Sequence, residues 1–591
     1  MKVSIFTNHI GYDSNDTKSA VYRVRADETP VKFNVVCDKT DAPVFEGVPV
    51  YAGEVDNWQT GCYYTLRFDE VKAKGQYYLT VTDDKGETVR SYPFKIAENL
   101  LEVSTLSAVG YSFKAQRATG EYGAADSNLR DQFGMLDGRI DAHGGWYDAT
   151  GDYGVHLSHL PHTIYFNPQQ ASFSAYAFFK MYDLIDEAEY PYYTMFQRRL
   201  LEEGMYGADF LMRMRAPSGG IYVTKSRTMD AYGPVDEMRV LGAYQRNPKG
   251  RKGGSTWGDP NEISLYDYET SFRAGGGYAI AALAYAARFA YPSDYTKEEY
   301  LTTAITAYRH LEKNNELYTN DGKWNLVDEY CALDAVIEIY KSTKEIDYLR
   351  RARAMAKRVM DHYVPVDDTM GYLSVNDTDR HFFHAADAGM PVVNLLNYTL
   401  IERDKEAKQK AIDICEKVMR FQLHVTNKVN NPFGYARQYV QHGDGSRCDQ
   451  FFYPHDVETA PWWQGENARL GSLATAARAL VWQTADEELK AQLRKFADDQ
   501  INWILGCNPF DACMLEGEGR NNIDYFFEGE RRDFIQCPGG IVNGITSGIH
   551  DEHGIAFHAD RSEDVPDNWR WAEQWIPHAT WYMYALSMKK I

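Results

Sequence analysis

Cysteine does nothing to organise this sequence. Its eight cysteines, Cys37, Cys62, Cys331, Cys415, Cys448, Cys507, Cys513 and Cys537, are scattered without paired metal-ligand spacing, which argues against a disulfide framework and a zinc site. No stretch supplies the roughly 20 apolar residues needed to cross a bilayer. After Met1 and Lys2 only Val3 to Phe6 run apolar before Thr7. No signal-peptide core is present, and the chain as given is expected to act in the cytoplasm. Positive charge is scarce: 63 Lys and Arg against 84 Asp and Glu leave a net charge of −21. Nucleic acid needs cations to displace its counterions, and an anionic membrane surface needs them too, so neither is an expected partner. Low-complexity tracts and obvious internal repeats are also lacking.

What is present is aromatic. The chain carries 43 Tyr, 27 Phe and 12 Trp in 591 residues, with 44% hydrophobic residues in all. That length suggests two or more domains. Tyrosine joins an apolar body to a hydroxyl, which suits a polar ligand with an apolar face.

Residues 1–97 read as short strands between turns, at Ala20–Val24, Lys32–Val36, Tyr63–Phe68, Gln76–Val81 and Thr88–Phe94. That spacing predicts an immunoglobulin-like β-sandwich. From residue 98 to 591 the period changes. Helical spacing marks Phe173–Ile185, Phe196–Met212, Ala274–Phe289, Tyr300–Leu311, Cys331–Tyr340, Ala354–Val364, Ala411–Leu423, Leu470–Trp482, Leu489–Leu505 and Trp575–Met588. Long loops rich in Gly, Asp and Tyr join them, as in domains whose loops carry function. Antiparallel helix pairs of this kind can close into a toroid with a cleft at one end.

Gly144-Gly145-Trp146-Tyr147-Asp148-Ala149-Thr150-Gly151-Asp152-Tyr153-Gly154 sets two aspartates four residues apart among glycines and aromatics. Neighbouring carboxylates cannot ionise independently, which tunes them for acid–base work. Near the C-terminus Glu573 stands between Trp571 and Trp575. Poor solvation there would raise its pKa and fit it to protonate a leaving oxygen.

The aspartate motif resembles that of glycoside hydrolase family nine, and Glu573 resembles that family's proton donor. Trp503-Ile504-Leu505-Gly506-Cys507-Asn508-Pro509 is similar to its Leu-Gly-x-Asn-Pro signature, and His9-Ile10-Gly11-Tyr12 to its immunoglobulin-like module. The resemblance implies an all-α (α/α)6 barrel behind the sandwich and inverting hydrolysis of β-1,4-linked chains. Inverting enzymes hold their carboxyls about 6.5–9.5 Å apart to leave room for water. By motif match Asp152 is the principal base, Asp148 helps hold the water and Glu573 is the acid. Thr150 lengthens the family's usual three-residue spacing to four, which leaves the division between Asp148 and Asp152 open. The usual Pro-His-His-Arg segment gives way to an acidic stretch with Glu516, Glu518, Asp524 and Glu528.

That stretch resembles the subgroup that trims short oligosaccharides from their ends, exo-β-D-glucosaminidases and β-glucosidases included, since carboxylates would favour the ammonium of glucosamine. The alternative is an endo-β-1,4-glucanase on cellulose-like polymers. A phosphorylase would need clustered basic residues for phosphate, and a non-catalytic binding protein would not need all three carboxylates. The oligosaccharide is further expected to meet Trp146, Tyr147, His384, Asp387, Trp462, Trp463, Glu466 and Asn508. No cofactor is expected, with a structural calcium left open. No metal is expected at His156, His159 and His162, whose spacing follows a helical face only loosely.

Overall fold

The computed structural model describes the chain except residues 1–3, 26–27, 161–162, 188–192, 228–233, 245–262, 377–378, 460–461, 529–531 and 591. His162, considered above, lies outside the described residues.

Among the described residues ten strands form the N-terminal sandwich. They are β1 Ile5–Phe6, β2 Gly11–Asp13, β3 Ser19–Val24, β4 Pro30–Cys37, β5 Ala42–Gly47, β6 Val50–Glu54, β7 Cys62–Arg67, β8 Gly75–Asp83, β9 Thr88–Arg90 and β10 Phe94–Ala97. One sheet runs β1-β3-β7-β6; the other runs β2-β10-β8-β4-β5, with β9 on β8. Tyr12, Phe33, Val35, Leu66, Phe68, Leu79 and Ile96 fill the space between them. Strands β5 and β6 escape the period-two reading because both their faces are largely exposed. Nothing buried imposes alternation on them.

Among the described residues twelve helices of ten or more residues follow. They are α1 Ser107–Gln116, α2 Ala171–Glu187, α3 Thr194–Arg213, α4 Gly277–Ala286, α5 Lys297–Asn314, α6 Leu326–Thr343, α7 Ile346–Asp361, α8 Met390–Ile401, α9 Lys405–Asn427, α10 Asn467–Val481, α11 Glu487–Ile504 and α12 Ile576–Ser587. The even-numbered helices touch in a closed ring, α2 on α4, α4 on α6, and so on back through α12 to α2. Every residue of α4, α10 and α12 is buried, as a helix surrounded by others must be. Three outer helices are amphipathic and capped in sequence: Thr296 with Glu299 closes a capping box on α5, and Asp404 and Asp486 cap α9 and α11. This is the (α/α)6 barrel.

The sandwich shares a core with the barrel. Trp58, on the loop after β6, lies 4.7 Å from Phe451 and 6.0 Å from Phe452 and Trp503. A buried tryptophan removes roughly 200 Å² from water, on the order of 5 kcal/mol at about 25 cal/mol per Å². His9 donates its backbone N–H to Leu505 at 2.9 Å and bonds Asp511 through its ring at 3.0 Å. The resemblance motif His9–Tyr12 therefore meets the Leu505–Pro509 motif, and both build the domain junction.

Candidate active site

At one end of the ring, the loop that begins at Gly144 lies against the segment entering α12. Ala149 and Trp575 form an antiparallel bridge. Thr150 donates its backbone N–H to Gln574 at 2.9 Å and its hydroxyl to Gln574 Oε1 at 2.8 Å, while Ile576 N–H bonds Asp148 O at 3.0 Å. Glu573, just before this pairing, lies where the charges of Asp152 and Asp148 act on it. Residues more than 400 positions apart thus meet through ordinary strand pairing.

The two aspartates differ in environment. The Asp148 side chain is 2% exposed and that of Asp152 is 42% exposed. Asp148 accepts the Trp575 indole N–H on both oxygens at 3.1 and 3.2 Å, accepts Gln170 Nε2, and stands 3.3 Å from His159 Nδ1. Asp152 accepts Gly154 N–H at 2.7 Å and faces His156 Nε2 at 3.7 Å. Desolvation pulls the Asp152 carboxyl up, but the His156 hydrogen bond and charge, the Gly154 amide and His159 outweigh it and hold it well below the usual range. Glu573 goes the other way. Burial, then the charges of Asp152 and Asp148, push it well above 4.5, against a hydrogen bond to the Asn543 side chain. Carboxyls driven apart in pKa at one place are the signature of an acid and a base. Asp152, open to solvent and held ionised, suits the base; Asp148, closed in by donors, suits the holding role.

A buried ionic cluster fixes the loop. Lys225 and Arg239 pair with Asp126 at 2.6 and 2.7 Å, all three wholly buried. Lys225 also donates to Gly144 O at 2.7 Å and Arg239 to Tyr153 O at 2.5 Å. Burial lowers the Lys225 pKa to about 8 despite Asp126. Both basic residues stand on a small sheet made of β11 Arg130–Asp131, β12 Val155–His156, β13 Thr224–Arg227 and β14 Arg239–Gly242.

The structure corrects several expected sugar contacts. Trp146 is fully buried, its indole N–H bonded to Glu203 at 3.1 Å and its ring against Phe113 and Phe178. It anchors the motif to the core. Asn508 is buried and ties Trp503, Phe510 and Ala512 backbone into a turn. Glu466 is an interior partner of Arg469, Gln438 and the Tyr453 amide. His384 accepts the Ala386 and Asp387 amides, and Asp387 accepts Gln169 N–H and the Trp581 indole. Burial drives His384 down to about 3 and Asp387 up to about 7, so both are neutral between those two pH values. A polar residue between helices reads alike from sequence whether it binds a ligand or holds a loop. Trp463 is buried, stacked on His455 at 3.8 Å.

Tyr147 and Trp462 remain half-buried. Tyr147 packs edge-on to Tyr153, and Trp462 edge-on to His159 at 4.6 Å, beside the Asp148 carboxylate. None of the acidic stretch is among the main charges acting on Asp152 or Glu573: Glu518 feels Lys95 of β10, Glu516 feels Asp524, and Asp524 and Glu528 are exposed. Reading the sequence missed Gln170 and Asn543, and it gave Trp575 and His156 no contact with the aspartates. The run Asn167-Pro168-Gln169-Gln170 before the apolar α2 was the available signal for Gln170, since two glutamines opening a buried helix need partners.

Comparison with known proteins gives two family matches: Glycosyl hydrolase family 9 over residues 104–528 and the Cellulase N-terminal ig-like domain over residues 2–86. None of the curated proteins compared matches the chain. Similar solved structures include a metagenome-derived glycoside hydrolase family 9 endoglucanase, with TM-score 0.64 and 19% identity, covering 99% of both chains. A Bacteroides ovatus GH9 structure has TM-score 0.66 and 18% identity, again over 99% of both. A thermostable endoglucanase mutant from Alicyclobacillus acidocaldarius has TM-score 0.62 and 16% identity, with the same coverage. With the match spanning most of the barrel and the sandwich in place before it, the chain belongs to glycosyl hydrolase family 9, a family of inverting glycoside hydrolases.

Proposed function

We propose that the chain hydrolyses β-1,4-linked glucose chains at internal bonds, with Glu573 as acid, Asp152 as base and Asp148 as the residue that orients the water. The observation carrying this reading is that one pairing of segments brings together a carboxyl whose pKa is held down, a carboxyl whose pKa is driven up and a third enclosed by hydrogen-bond donors. Glu573 gives its proton to the glycosidic oxygen as the bond to the anomeric carbon breaks. Asp152 takes a proton from water attacking the opposite face, which inverts the anomeric centre.

Internal cleavage is favoured over release of terminal glucosamine on two grounds. Two of the similar structures above are described as endoglucanases. Of the acids offered for an ammonium group, Asp524 and Glu528 are exposed, and none of Glu516, Glu518, Asp524 and Glu528 is among the main charges acting on Asp152 or Glu573.

Product analysis tests the choice. An endo enzyme rapidly lowers the viscosity of a soluble β-1,4-glucan, whereas an exo enzyme releases monosaccharide from chitosan disaccharide or cellobiose first. Asp152→Asn and Glu573→Gln are each expected to lower kcat by at least about 10²-fold, the scale of acid–base catalysis. Near-normal turnover in either variant would remove that residue from its role.

A further inference from the structure

We propose that Asn543 is the positioning residue of the acid: its amide donates to one oxygen of Glu573 and so leaves the proton on the other, the oxygen that meets the glycosidic bond. This role rests on the reading of Glu573 as acid.

The partners of the Asn543 amide settle its direction. The backbone N–H of Ala468, in the first turn of α10, donates to His578 Nδ1 at 2.7 Å. Burial drives the His578 ring down to about 3, so at neutral pH it is uncharged and its one proton sits on Nε2. Nε2 lies 2.8 Å from Asn543 Oδ1, and only an oxygen can accept that proton. Gln464 Nε2 donates to the same oxygen at 3.1 Å, which fills both its lone pairs. The Asn543 nitrogen therefore faces the other way. It gives one hydrogen to Trp569 O at 2.7 Å and has one left for the Glu573 side chain, its other hydrogen-bond partner.

The backbone holds the same pair together. Asn543 N–H bonds Glu573 O at 2.7 Å, and Asn467 N–H, at the start of α10, bonds Asn543 O at 3.3 Å. Asn543, His578 and Gln464 are all buried, and a donor fixed before reaction costs no reorganisation as charge develops. When Glu573 gives its proton to the leaving oxygen, the bond from Asn543 becomes one to a carboxylate, roughly twice as strong as a neutral one. It thus favours the transfer while fixing its direction.

A leaving group that needs no proton isolates this role. The measurement is kcat/KM for wild type, Asn543→Ala, Asn543→Asp and Glu573→Gln on a β-1,4-glucan oligomer and on dinitrophenyl β-cellobioside, whose phenolate departs unprotonated. The ratio of the two constants does not depend on how much of a preparation is folded. Both Asn543 variants are expected to lose at least about tenfold on the oligomer, the scale of a hydrogen bond to a charged group, and to stay within about threefold of wild type on the aryl substrate. In Asn543→Ala the alkaline limb of the oligomer profile should move up by roughly one to two pH units, because the Glu573 carboxylate loses a donor while the charges of Asp152, Asp148 and Asp567 remain. Equal losses on both substrates, or none, overturn the role of Asn543. Glu573→Gln must show the same selective loss, and its failure to do so would remove Glu573 as acid. Selective loss in Glu573→Gln beside equal losses in the Asn543 variants refutes the positioning alone.

Discussion

Trp575 is two residues from the proposed acid, yet its side chain serves the opposite partner. Its indole N–H reaches both oxygens of Asp148 at 3.1 and 3.2 Å. Trp575→Phe keeps an apolar ring at this buried position and removes the donor. A hydrogen bond to a charged group is worth about 1.5–3 kcal/mol. Asp148 would retain Gln170 and His159, so the loss is partial misorientation of the carboxylate rather than its release. If the whole energy is felt at the transition state, kcat falls roughly 10- to 150-fold. KM should change little, because the ring contacts His578 of α12 and the Asp148 carboxylate. The assay is steady-state hydrolysis of a soluble β-1,4-glucan oligomer by wild type, Trp575→Phe, Asp148→Asn and the double variant. Trp575 acts through Asp148 on this reasoning, so the double variant should be little worse than Asp148→Asn alone. A kcat within twofold of wild type for Trp575→Phe, or losses that simply multiply, would show no coupling and refute the reasoning.

Lys225→Met leaves Arg239 as the remaining partner of a fully buried Asp126. Asp126 keeps its Arg239 partner, so the cost falls below the about 3–5 kcal/mol of a fully broken buried pair; denaturant unfolding of the catalytic domain should still shift to lower concentration, and an unchanged midpoint would contradict the anchoring role. The pH dependence of kcat/KM should show an alkaline limb set by Glu573. Its pKa is raised by burial and the aspartates, so the proton needed for catalysis persists above the usual range and is lost only as pH rises past the raised value. A limb at the ordinary glutamate value of about 4.3 would count against Glu573 as acid. Trp462→Ala should raise KM with a small change in thermal stability, whereas Trp463→Ala, which empties a buried stack on His455, should lower the melting temperature. Equal effects on KM from both would contradict the difference in their placement.

Periodicity exposed the helices whose two sides differ in solvation, such as α9 and α11. It passed over α1 and α8. In α8 ten consecutive residues, Met390 to Thr399, are buried, so no polar face marks it, although the equally buried α4, α10 and α12 were marked by their apolar runs. In the site, the three carboxyls were legible because glycine and tryptophan neighbours mark them in sequence. Their supports were not. Gln170, Asn543 and His156 acquire roles only through the fold: Gln170 reaches Asp148 across 22 positions, and Asn543 receives Gln464 and His578 side chains while bonding Trp569 O. The converse error, exposing Trp146, Glu466 and Asn508 to a sugar, has the same origin. Local sequence reports chemistry, but only the paired segment across the ring decides whether that chemistry faces solvent or core.

The lengthened spacing between Asp148 and Asp152 illustrates how pairing absorbs a sequence change. Asp152 N–H bonds Ala149 O at 3.1 Å, closing a four-residue turn with Thr150 and Gly151 at its centre. Gly151 has φ of +84°, the left-handed conformation that the third position of a type II turn requires and that glycine adopts without strain. The additional residue is thus spent inside the turn, while Asp148 N–H still bonds Gly154 O at 2.9 Å across its base. Thr150, carried outward by the turn, gives its hydroxyl to Gln574, next to the proposed acid. Gln574 Oε1 also accepts Cys537 N–H at 2.8 Å, which ties the pair to a third segment. The separation between acid and base is therefore held by the turn itself and its bonds to Gln574, so the longer spacing need not disturb the relation between Asp152 and Glu573.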